Sequence, residues 1–431
     1  MEIIIIGAGL GGLCAALGLA RKGHQVRVLE QRASLAPVGG ALNVRPGASK
    51  ILHEWGLGAD LERVSVNTPA NVLRDLATGE VATRSIATGI SDFPDWGTTR
   101  AALIGMFYQT ALEAGATVHL NAAVADVGED DGRAFVIVGG TRFTADLVIA
   151  ADGIRSATRG RILGDTAQSF EPIVTDTTLY GVQLSKEDMA PHPELEPLID
   201  QSFLNVFMGN DGVLHVTSRF NSTLSSYAAL FGVRGKTDQQ GLWDETGDID
   251  FVRGKFKDVC PEIRKVLQLA GSCDRWRLAE LPDLPRWTSA GGRIILLGDS
   301  AHGMQPSAAQ GFSLTVEDIG VLVYLISTDP NPATAVPMIT QNWQNIRKAR
   351  CERIKAWARH NTSLFTTSSR ITRPSKAQIQ TQVRSLKDVS PDMNAKFGTA
   401  AFLKWAEGTD AIEEVSCRQS RGGEETLTTF R

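Results

Sequence analysis

The sequence predicts an α/β fold: a parallel sheet built on an N-terminal βαβ unit, with a second, mixed sheet inserted into it. Three observations predict this architecture. The N-terminal residues pass from a β-branched run to a helical spacing and back to a strand. Apolar runs farther along the chain end in glycine–aspartate turns, and the segment between them alternates between apolar and polar residues. The chain should therefore contain a buried parallel sheet and a second sheet that covers one side of it.

The N-terminal unit begins with isoleucine at positions 3–6, a short run that suits a strand buried on both faces. A glycine loop follows at residues 7–12, after which apolar residues recur at spacings of three and four, as in a helix. Residues 26–29 form the next strand. Because G-x-G-x-x-G between a strand and a helix is typical of dinucleotide binding, this unit predicts a Rossmann-like domain.

Each glycine of the loop has its own part in that prediction. Gly7 permits the tight turn, Gly9 leaves room for a pyrophosphate, and Gly12 lets helix and strand pack closely. Glu30, at the end of the second strand, would accept hydrogen bonds from both ribose hydroxyls and would repel a 2′-phosphate. An ADP moiety without that phosphate, from FAD or NAD, is the expected ligand, and a glycine turn without a ligand is the alternative.

Composition narrows the class of protein. A chain of 431 residues has room for two or three domains, and a formal net charge of −4 does not suggest a nucleic-acid surface. Five scattered cysteines without a C-x-x-C pair argue against disulfides or a zinc site, so we expect no metal and a reducing compartment.

Residues 3–20 have about the length of a membrane span, but their glycines and the missing basic flank favour a buried core unit. We expect no later membrane span and a cytoplasmic protein.

The elements after Glu30 alternate between strands, helices and glycine turns. Residues 38–44 form a loop whose paired glycines would let the backbone approach a flat ligand. The predicted elements that follow are a helix at 46–57, a hairpin at 71–86, a helix opening at 99–100, strands at 118–120, 134–138 and 142–144, and a buried strand at 147–151.

Two of the apolar strands end in acidic turns. The strand at 147–151 ends at Asp152, and a strand at 294–297 ends at Asp299, ahead of a helix at 313–326. In an open α/β sheet the ligand lies along the carboxyl ends of the strands, so both turns and the glycine loop should form one site. Asp152 could instead stabilise only its own turn.

The pattern changes between residues 162 and 285, where strands are predicted at 177–184, 203–208 and 213–220 and a helix at 250–269. Together with residues 71–98, this segment is interpreted as a mixed sheet that forms the lid of a cavity. A basic amphipathic helix is expected at 338–360, with its charges on a solvated or packing face. The polar residues 416–429 are expected to form a frayed tail.

With these motifs in place, the chain resembles the single-component FAD-dependent aromatic hydroxylases, which are flavoprotein monooxygenases similar to salicylate and para-hydroxybenzoate hydroxylase. The likeness covers about residues 1–360. It rests on three motifs in the family's order: the fingerprint at 7–12 with Glu30, the Asp-Gly motif at 152–159, and the Gly-Asp motif at 298–306, which continues into Gln310 and Gly311.

The resemblance implies a para-hydroxybenzoate hydroxylase-like fold in discontinuous domains: FAD-binding at 1–70, 99–161 and 286–337, substrate-binding at 71–98 and 162–285, and C-terminal helices and tail at 338–431. Glu30 would hold the adenosine ribose and Asp299 the ribityl chain, and the helix beginning at Gly311 would stabilise negative charge on reduced flavin. The cofactor-binding residues implied are Gly7, Gly9, Gly12, Glu30, Arg32, Gly40, Arg100, Val124, Asp152, Asp299, Pro306, Gly311 and Phe312.

The resemblance also implies a reaction. NADPH or NADH reduces non-covalent FAD, O₂ adds at C4a, and the protonated hydroperoxide hydroxylates or epoxidises an electron-rich aromatic or unsaturated small molecule. No second G-x-G-x-x-G follows a strand, so the nicotinamide is expected to dock transiently. No W-x-W-x-I-P appears, so a flavin halogenase is not expected. An FAD oxidase or dehydrogenase is the alternative enzyme, a dinucleotide sensor is a third class, and a monomer or homodimer remains open.

Candidates for activating the substrate are Tyr180, His215 and Arg219, because a phenol needs a base or a cation near its ring. Alternation along one strand puts His215 and Arg219 on the same side. A structural role is the alternative for each of the three. His302, in the Gly-Asp motif, is expected to be a hydrogen-bonding loop residue rather than a proton donor.

Overall fold

The computed structural model describes residues 1–35, 40–68, 70–209, 212–235, 245–367 and 380–421. Its strands are β1 (Glu2–Ile6), β2 (Gln25–Leu29), β3 (Ala41–Val44), β4 (Val66–Asn67), β5 (Asn71–Asp75), β6 (Val81–Thr88), β7 (Trp96–Thr99), β8 (Thr117–His119), β9 (Val124–Asp130), β10 (Arg133–Val138), β11 (Thr141–Ala145), β12 (Leu147–Ala150), β13 (Ile173–Ser185), β14 (Leu204–Met208), β15 (Leu214–Asn221), β16 (Ser226–Arg234), β17 (Glu245–Gly247), β18 (Cys273–Glu280), β19 (Ile294–Leu296) and β20 (Gln380–Ser385).

The α-helices of the described residues are α1 (Leu10–Ala20), α2 (Pro46–Glu54), α3 (Gly58–Val64), α4 (Arg100–Glu113), α5 (Ala157–Leu163), α6 (Lys186–Met189), α7 (Glu196–Ile199), α8 (Ile249–Lys255), α9 (Pro261–Leu269), α10 (Asp299–His302), α11 (Gly311–Thr328), α12 (Pro332–Thr367), α13 (Ala400–Gly408) and α14 (Ala411–Arg421).

A five-stranded parallel sheet, in the order β19-β12-β1-β2-β8, forms the first core. Ile3 of the central strand pairs with Leu147 on one side and with Val26 on the other. The isoleucines of β1 and all of β12 are buried, because α1 packs on β1 and β2, and the three-stranded sheet β11-β10-β9 packs on β1 and β12. The predicted α/β class and its N-terminal βαβ unit are confirmed.

A nine-stranded mixed sheet, in the order β17-β18-β13-β16-β15-β14-β5-β6-β20, forms the lid. Its outer face buries Val216, Phe220 and Phe231 in a second core with α8 and α9. Its inner face meets the three-stranded sheet β3-β7-β4, where Leu230 lies so close to Gly40 that a Cβ there would overlap it. The lid therefore covers the loops at one edge of the parallel sheet.

Several elements differ from the sequence-based expectation. Strands β4, β7, β9, β16, β17 and β18 were not predicted. Periodicity alone does not distinguish the apolar run of β16 from a buried helix, and β18 carries charged residues without clear alternation. The single helix expected at 250–269 is two helices, because Pro261 starts a new one at α9. Part of the expected glycine loop is the strand β3, while residues 36–39 lie outside the described residues.

The C-terminal segment also differs from the expected helices and tail. It contributes β20, which pairs in parallel with β6 and so extends the lid. Residues 416–421 belong to α14 and are not frayed, and residues 422–431 lie outside the described part of the chain. The division into domains otherwise stays a prediction.

Helix α11 corrects the expectation that no later stretch is long and apolar enough to cross a membrane. It has 18 residues and passes that test by length and composition alone. In the fold, 72% of it is buried within the protein, between α1, α2 and α12. This burial is that of a core helix in a globular protein.

Candidate active site

Three loops that follow β1, β12 and β19 meet at one edge of the parallel sheet. These strands are parallel neighbours, so their carboxyl ends lie side by side. Ala151 donates its backbone N–H to Ile6, and Leu297 donates its N–H to Ala150, which holds the loops together just beyond the strands. The structure thus brings the three sequence motifs into one place.

At two positions of the glycine loop a side chain would be strained or would clash, and at a third position there is room for one. Gly7 has a φ of +97°, in the region that favours glycine, and a Cβ on Gly12 would overlap the carbonyl oxygen of Gly7. A Cβ on Gly9, in contrast, meets no atom within 4 Å. Gly9 therefore faces open space at the beginning of α1, where a pyrophosphate needs room and free N–H groups.

Glu30 lies directly after β2, and both of its carboxylate oxygens accept hydrogen bonds. Oε2 accepts from the N–H of Ala8 at 2.8 Å, and Oε1 accepts from the N–H of Arg32 at 2.9 Å. These bonds fix the carboxylate beside the glycine loop and leave lone pairs for ribose hydroxyls. The Arg32 side chain is exposed at the same edge.

Gly40, Arg100 and Val124 lie around this edge. Arg100 is the first residue of α4, and its backbone N–H donates to the carbonyl of Gly40 at 3.2 Å, while its side chain is exposed. Val124 begins β9, just after Ala122, whose N–H donates to the Glu30 carbonyl. Val124 is thus next to the loop that contains Glu30, and Arg100 is fixed to Gly40.

Asp152 uses one of its oxygens to stabilise its own turn. Oδ2 accepts from the N–H of Thr158 at 3.3 Å and from its hydroxyl at 3.1 Å. Oδ1 is buried and has no hydrogen-bond partner among the described residues. A buried carboxylate oxygen without a donor is costly, so this oxygen is suited to a ligand hydroxyl.

Asp299 follows β19 and begins α10 with an exposed side chain. Gly298 before it has a φ of +64°, and Ser300 after it donates its hydroxyl to the carbonyl of Ala150 at 2.6 Å. The turn is thereby fixed to β12. The carboxylate of Asp299 stays available to a cofactor hydroxyl.

The first turn of α11 completes the edge. The atom nearest to a Cβ on Gly311 is Cγ of Met304, at 4.0 Å, and Phe312 packs on Phe107 with ring centroids 5.9 Å apart. Pro306 is exposed in the loop just before the helix. The first N–H groups of a helix have no intrahelical partner, so this end favours negative charge.

These residues fit FAD. The open position at Gly9, the unpartnered oxygen of Asp152, the exposed carboxylate of Asp299 and the open first turn at Gly311 all belong to the loops at the same edge of the sheet. Pyrophosphate, ribityl chain and flavin ring need such a series of donors and acceptors.

Arg219 is buried between the inner face of the lid and the sheet β3-β7-β4. Its Nη2 donates to Oδ1 of Asn43 at 3.1 Å, and its guanidinium lies where a side chain on Gly97 would be. Its Nε has no partner, and no carboxylate of the described residues lies within ion-pair distance. Burial lowers the pKa of Arg219 to about 10, so it is charged at neutral pH.

His215 lies on the same inner face, as alternation predicts, with its ring over Gly232 of β16. Burial lowers the pKa of His215 to about 4, so the imidazole is neutral at neutral pH. Tyr180 is not brought together with these two residues. It pairs with Phe231 and faces the outer core, where its ring contacts Phe251.

A polar group that the sequence did not reveal adjoins Arg219. Asn43 donates to Oδ1 of Asp95 at 3.3 Å, and Oδ2 of Asp95 accepts from Nη1 of Arg45 at 2.6 Å. Nη2 of Arg45 lies 3.8 Å from Oε1 of Glu407, which reaches the group from α13. No local pattern marks these residues, because they come from three distant parts of the chain.

A second unforeseen group is a buried ionic network behind α11. Nε2 of His302 lies 2.7 Å from Asp318, which also accepts from Nε of Arg347 at 2.7 Å. Burial opposes protonation of His302, but Cys351 and Asp318 raise its pKa to about 10. Burial also raises the pKa of Cys351, which stays a thiol, so Asp318 is the charge that keeps the imidazole protonated.

His302, Asp318 and Cys351 place possible metal-ligand atoms within 4.8 Å of one another. The guanidinium of Arg347 already neutralises Asp318, and a dication beside it would be repelled. The group is therefore an ion-pair network that fixes the Gly-Asp loop to α11. His302 makes a side-chain hydrogen bond, as expected from the sequence, but it is the last residue of the short helix α10 and not a loop residue.

Comparison with known proteins gives one consistent result. Residues 1–353 match the family model described as an FAD binding domain. The chain is 28% identical over 373 residues to the FAD-dependent monooxygenase OpS4 of Beauveria bassiana, covering 82% of this chain and 83% of that protein. It is also 28% identical over 371 residues to 3-hydroxybenzoate 6-hydroxylase 1 of Aquipseudomonas alcaligenes, covering 83% and 88%.

Among solved structures, a salicylate hydroxylase substrate complex has a similar fold, with a TM-score of 0.70 at 20% identity. The match covers 88% of this chain and 92% of that one. The fold that the sequence predicts, a Rossmann-like domain with an inserted lid sheet, is thus confirmed.

Proposed function

Because the chain belongs to the FAD-dependent monooxygenases that share this FAD-binding domain, we propose that it uses NADPH or NADH, with O₂, to hydroxylate or epoxidise an electron-rich aromatic or unsaturated small molecule. One observation carries the proposal: the three strand-end loops and the first turn of α11 meet under a lid whose inner face presents His215 and Arg219. FAD, when bound, would supply electron transfer from the nicotinamide and transfer of one oxygen atom from O₂.

Each loop at the sheet edge would hold a different part of FAD. Gly7, Gly9 and Gly12 would accommodate the pyrophosphate, and Glu30 would accept from the ribose. Asp299 would accept from the ribityl chain. We assign Arg32, Gly40, Arg100, Val124, Asp152, Pro306, Gly311 and Phe312 to the remaining contacts.

Arg219 would orient the substrate and stabilise negative charge on it. Its guanidinium is charged, buried and has an Nε–H free to donate, and such a donor is stronger in a water-excluded site than in water. His215 is neutral at neutral pH, so it can accept a hydrogen bond from a substrate hydroxyl. With a pKa of about 4 it is a weak base, so its expected role is positioning.

The test of the reaction class is incorporation of ¹⁸O from ¹⁸O₂ into product, after a screen of phenols, indoles and polyketides for stimulated NADH or NADPH oxidation. Incorporation of one labelled atom for each nicotinamide consumed is the expected result. An FAD that an organic substrate reduces, but that stays oxidised with NADH and NADPH without oxygen, would instead show an oxidase or dehydrogenase.

Variants test the assignment of the lid residues. His215→Ala and Arg219→Met should each lower the hydroxylation rate at least about tenfold, which is about 1.4 kcal/mol of barrier. FAD content and uncoupled NADPH oxidation should persist, because neither side chain belongs to the cofactor loops. His192→Ala and Arg264→Met, which lie outside the inner face, are the matched controls. Unchanged product formation in both lid variants would show that this face only packs.

We also expect the protein to act in the cytoplasm, as a monomer or homodimer. Fractionation of cells that produce the tagged protein and light scattering of the purified protein would test these two expectations.

A further inference from the structure

The inner face of the lid carries large apolar side chains that pack in neither core of the protein. Leu179 pairs with Trp276 on one side and with Gly232 on the other, and Gly232 pairs with His215. Residues directly opposite each other in a sheet point to the same face, so Leu179 and Trp276 share the inner face with His215. Neither belongs to the core around the parallel sheet or to the core on the outer face. The inner face therefore has an apolar surface of its own beside His215.

Trp276 is half-buried and has an indole ring without an aromatic partner. Within the described part of the chain its ring stacks on no other ring and its Nε1–H donates no hydrogen bond. Trp287 and Trp343, in contrast, are fully buried and contact each other, with ring centroids 5.7 Å apart. Indole rings gain free energy from contact with other aromatic rings. The ring of Trp276 is therefore available to a ligand.

Two glycines leave space for the rings of Trp276 and His215 above the middle of the lid. The atoms nearest to a Cβ on Gly181 are Cζ3 and Cη2 of Trp276, at 3.2 and 3.4 Å, and a Cβ on Gly232 would overlap the ring of His215. Gly181 belongs to β13 and Gly232 to β16, and these two adjacent strands lie between β18, which carries Trp276, and β15, which carries His215. The two rings therefore extend toward each other from opposite sides of one strand pair.

The positions of the two glycines determine the distance between the rings above them. Gly181 pairs with Leu230 and Gly232 pairs with Leu179, so the glycines are diagonal neighbours, which lie about 7–8 Å apart in a sheet. Carbon atoms in contact are about 3.5–4.0 Å apart, so a gap of this width holds one planar ring between two others. Leu179 and Leu230 occupy the other diagonal and supply apolar sides to the gap.

The gap lies between the residues assigned to the flavin and those assigned to the substrate. Leu230 lies against Gly40, where a Cβ would overlap it. His215, on the other side, precedes Arg219 by four residues on the same face of β15. A hydroxyl on a ring in this gap would accordingly point along β15 toward Arg219.

We propose that Trp276 and His215 form a clamp for a planar ring, and that Trp276 is a specificity-determining residue that selects an aromatic substrate. The inference rests on the proposed function, because it names the substrate class of that same site. It favours aromatic compounds over compounds with an isolated double bond. An aromatic ring presents a flat face to each side of the clamp, whereas a puckered ring would lose close contact with at least one of the two side chains.

A structural role of Trp276 is the alternative, because aromatic side chains also cover glycines in β-sheets. In that case the indole would serve only to shield Gly181. Its removal would then change the binding of planar and puckered ligands to the same extent, or would change neither. Two ligands of equal size and different shape distinguish the clamp from this alternative.

The ligands 2-naphthol and trans-decahydro-2-naphthol have the same carbon skeleton and the same hydroxyl group, but only 2-naphthol is planar. Their binding to FAD-loaded protein is measured by calorimetry in the absence of NADH and NADPH, so that no turnover occurs. The wild type should bind 2-naphthol at least about tenfold more tightly, which is about 1.4 kcal/mol.

Variants assign this preference to the indole ring. Trp276→Leu should weaken 2-naphthol about tenfold and change decahydro-2-naphthol by less than about twofold. Trp276→Phe keeps an aromatic ring and should retain most of the affinity for 2-naphthol. Phe251→Leu is the matched control, because Phe251 contacts Tyr180 on the outer face, and it should change neither affinity.

The proposal is overturned if the wild type binds both ligands equally well, if 2-naphthol does not bind at millimolar concentration, or if Trp276→Leu weakens both ligands equally or neither. Thermal unfolding and FAD content show whether each variant is folded and loaded. If Trp276→Leu does not fold, the wild-type preference and Trp276→Phe decide. The proposed function fails separately, when the wild type holds no FAD or incorporates no oxygen from O₂. Incorporation of ¹⁸O without a preference for the planar ligand would remove only the clamp.

Discussion

Gly9 and Gly12 are three residues apart, but a side chain would have different effects at the two positions. A Cβ on Gly12 overlaps the Gly7 carbonyl, so Gly12→Val should lower the free energy of unfolding by about 1–3 kcal/mol or more, through overpacking. A Cβ on Gly9 meets only open space, so Gly9→Val should fold as stably as the wild-type apoprotein and fail to bind FAD. Flavin absorbance and thermal unfolding measured together distinguish these results, and a yellow Gly9→Val protein would contradict the assignment of the pyrophosphate site.

Whether the position of a site residue could be predicted from the sequence depends on whether its position is set by its own strand or by contacts with distant parts of the chain. Glu30 comes directly after the buried strand β2, and Asp299 lies three residues after the end of β19, so their place at the sheet edge could be inferred from the sequence. His215 and Arg219 share a face because they are on one strand. Tyr180 faces the other way because its orientation depends on the register of β13 with β16, an unpredicted strand. Glu407 has no local signal at all, because its place depends on long-range packing of α13.

At the scale of elements, α11 and α12 are joined by buried charges. Glu317 accepts from Nη2 of Arg347 at 2.8 Å and from Nε of Arg350 at 2.6 Å, and all three side chains are buried. Arg347 and Arg350 are thus on a packing face, whereas Arg359 is on the solvated face. The sequence had left both settings open for the basic residues of this helix. Burial would raise the pKa of Glu317, but the two arginines lower it, so the carboxylate is ionised at neutral pH.

Glu317→Gln removes the carboxylate that Arg347 and Arg350 share, so the positive charge of these two buried guanidiniums is no longer fully compensated. It should therefore lower the free energy of unfolding by about 3–5 kcal/mol in urea titrations. Glu352→Gln, in the more exposed pair with Lys348, is the matched control and should cost less than about 1 kcal/mol. Replacing Glu317 and Arg350 together by methionine should restore part of the loss. Equal effects of Glu317→Gln and Glu352→Gln would show that the network does not stabilise the helix pair.

At the scale of the whole molecule, the C-terminal segment connects the lid to the FAD-binding domain. It adds β20 to the edge of β6, while the carbonyl of Ala406 accepts from Gln310 at 3.1 Å and from Arg350 at 3.2 Å. The sequence indicated helices here but not this connection, because parallel pairing over such a distance has no local signal.

A chain that ends at residue 379 should lose both connections. It should have a lower unfolding temperature and form soluble aggregates through the exposed edge of β6, as measured by thermal unfolding and size-exclusion chromatography. A chain that ends at residue 421 keeps β20, α13 and α14 and is the control, expected to behave as the full chain does. A monodisperse 1–379 protein with unchanged stability would contradict this role of the segment.

The pairing of β20 with β6 has a consequence for the order of biosynthesis. About 300 residues of chain separate Gln380 from Thr83, its partner in the sheet. During translation, β6 therefore leaves the ribosome long before the strand that covers it, and the lid keeps an open edge until nearly the whole chain is made. Open strand edges are sites of intermolecular pairing in nascent proteins. Recovery of folded protein should accordingly depend on chaperones that bind the nascent chain during this interval.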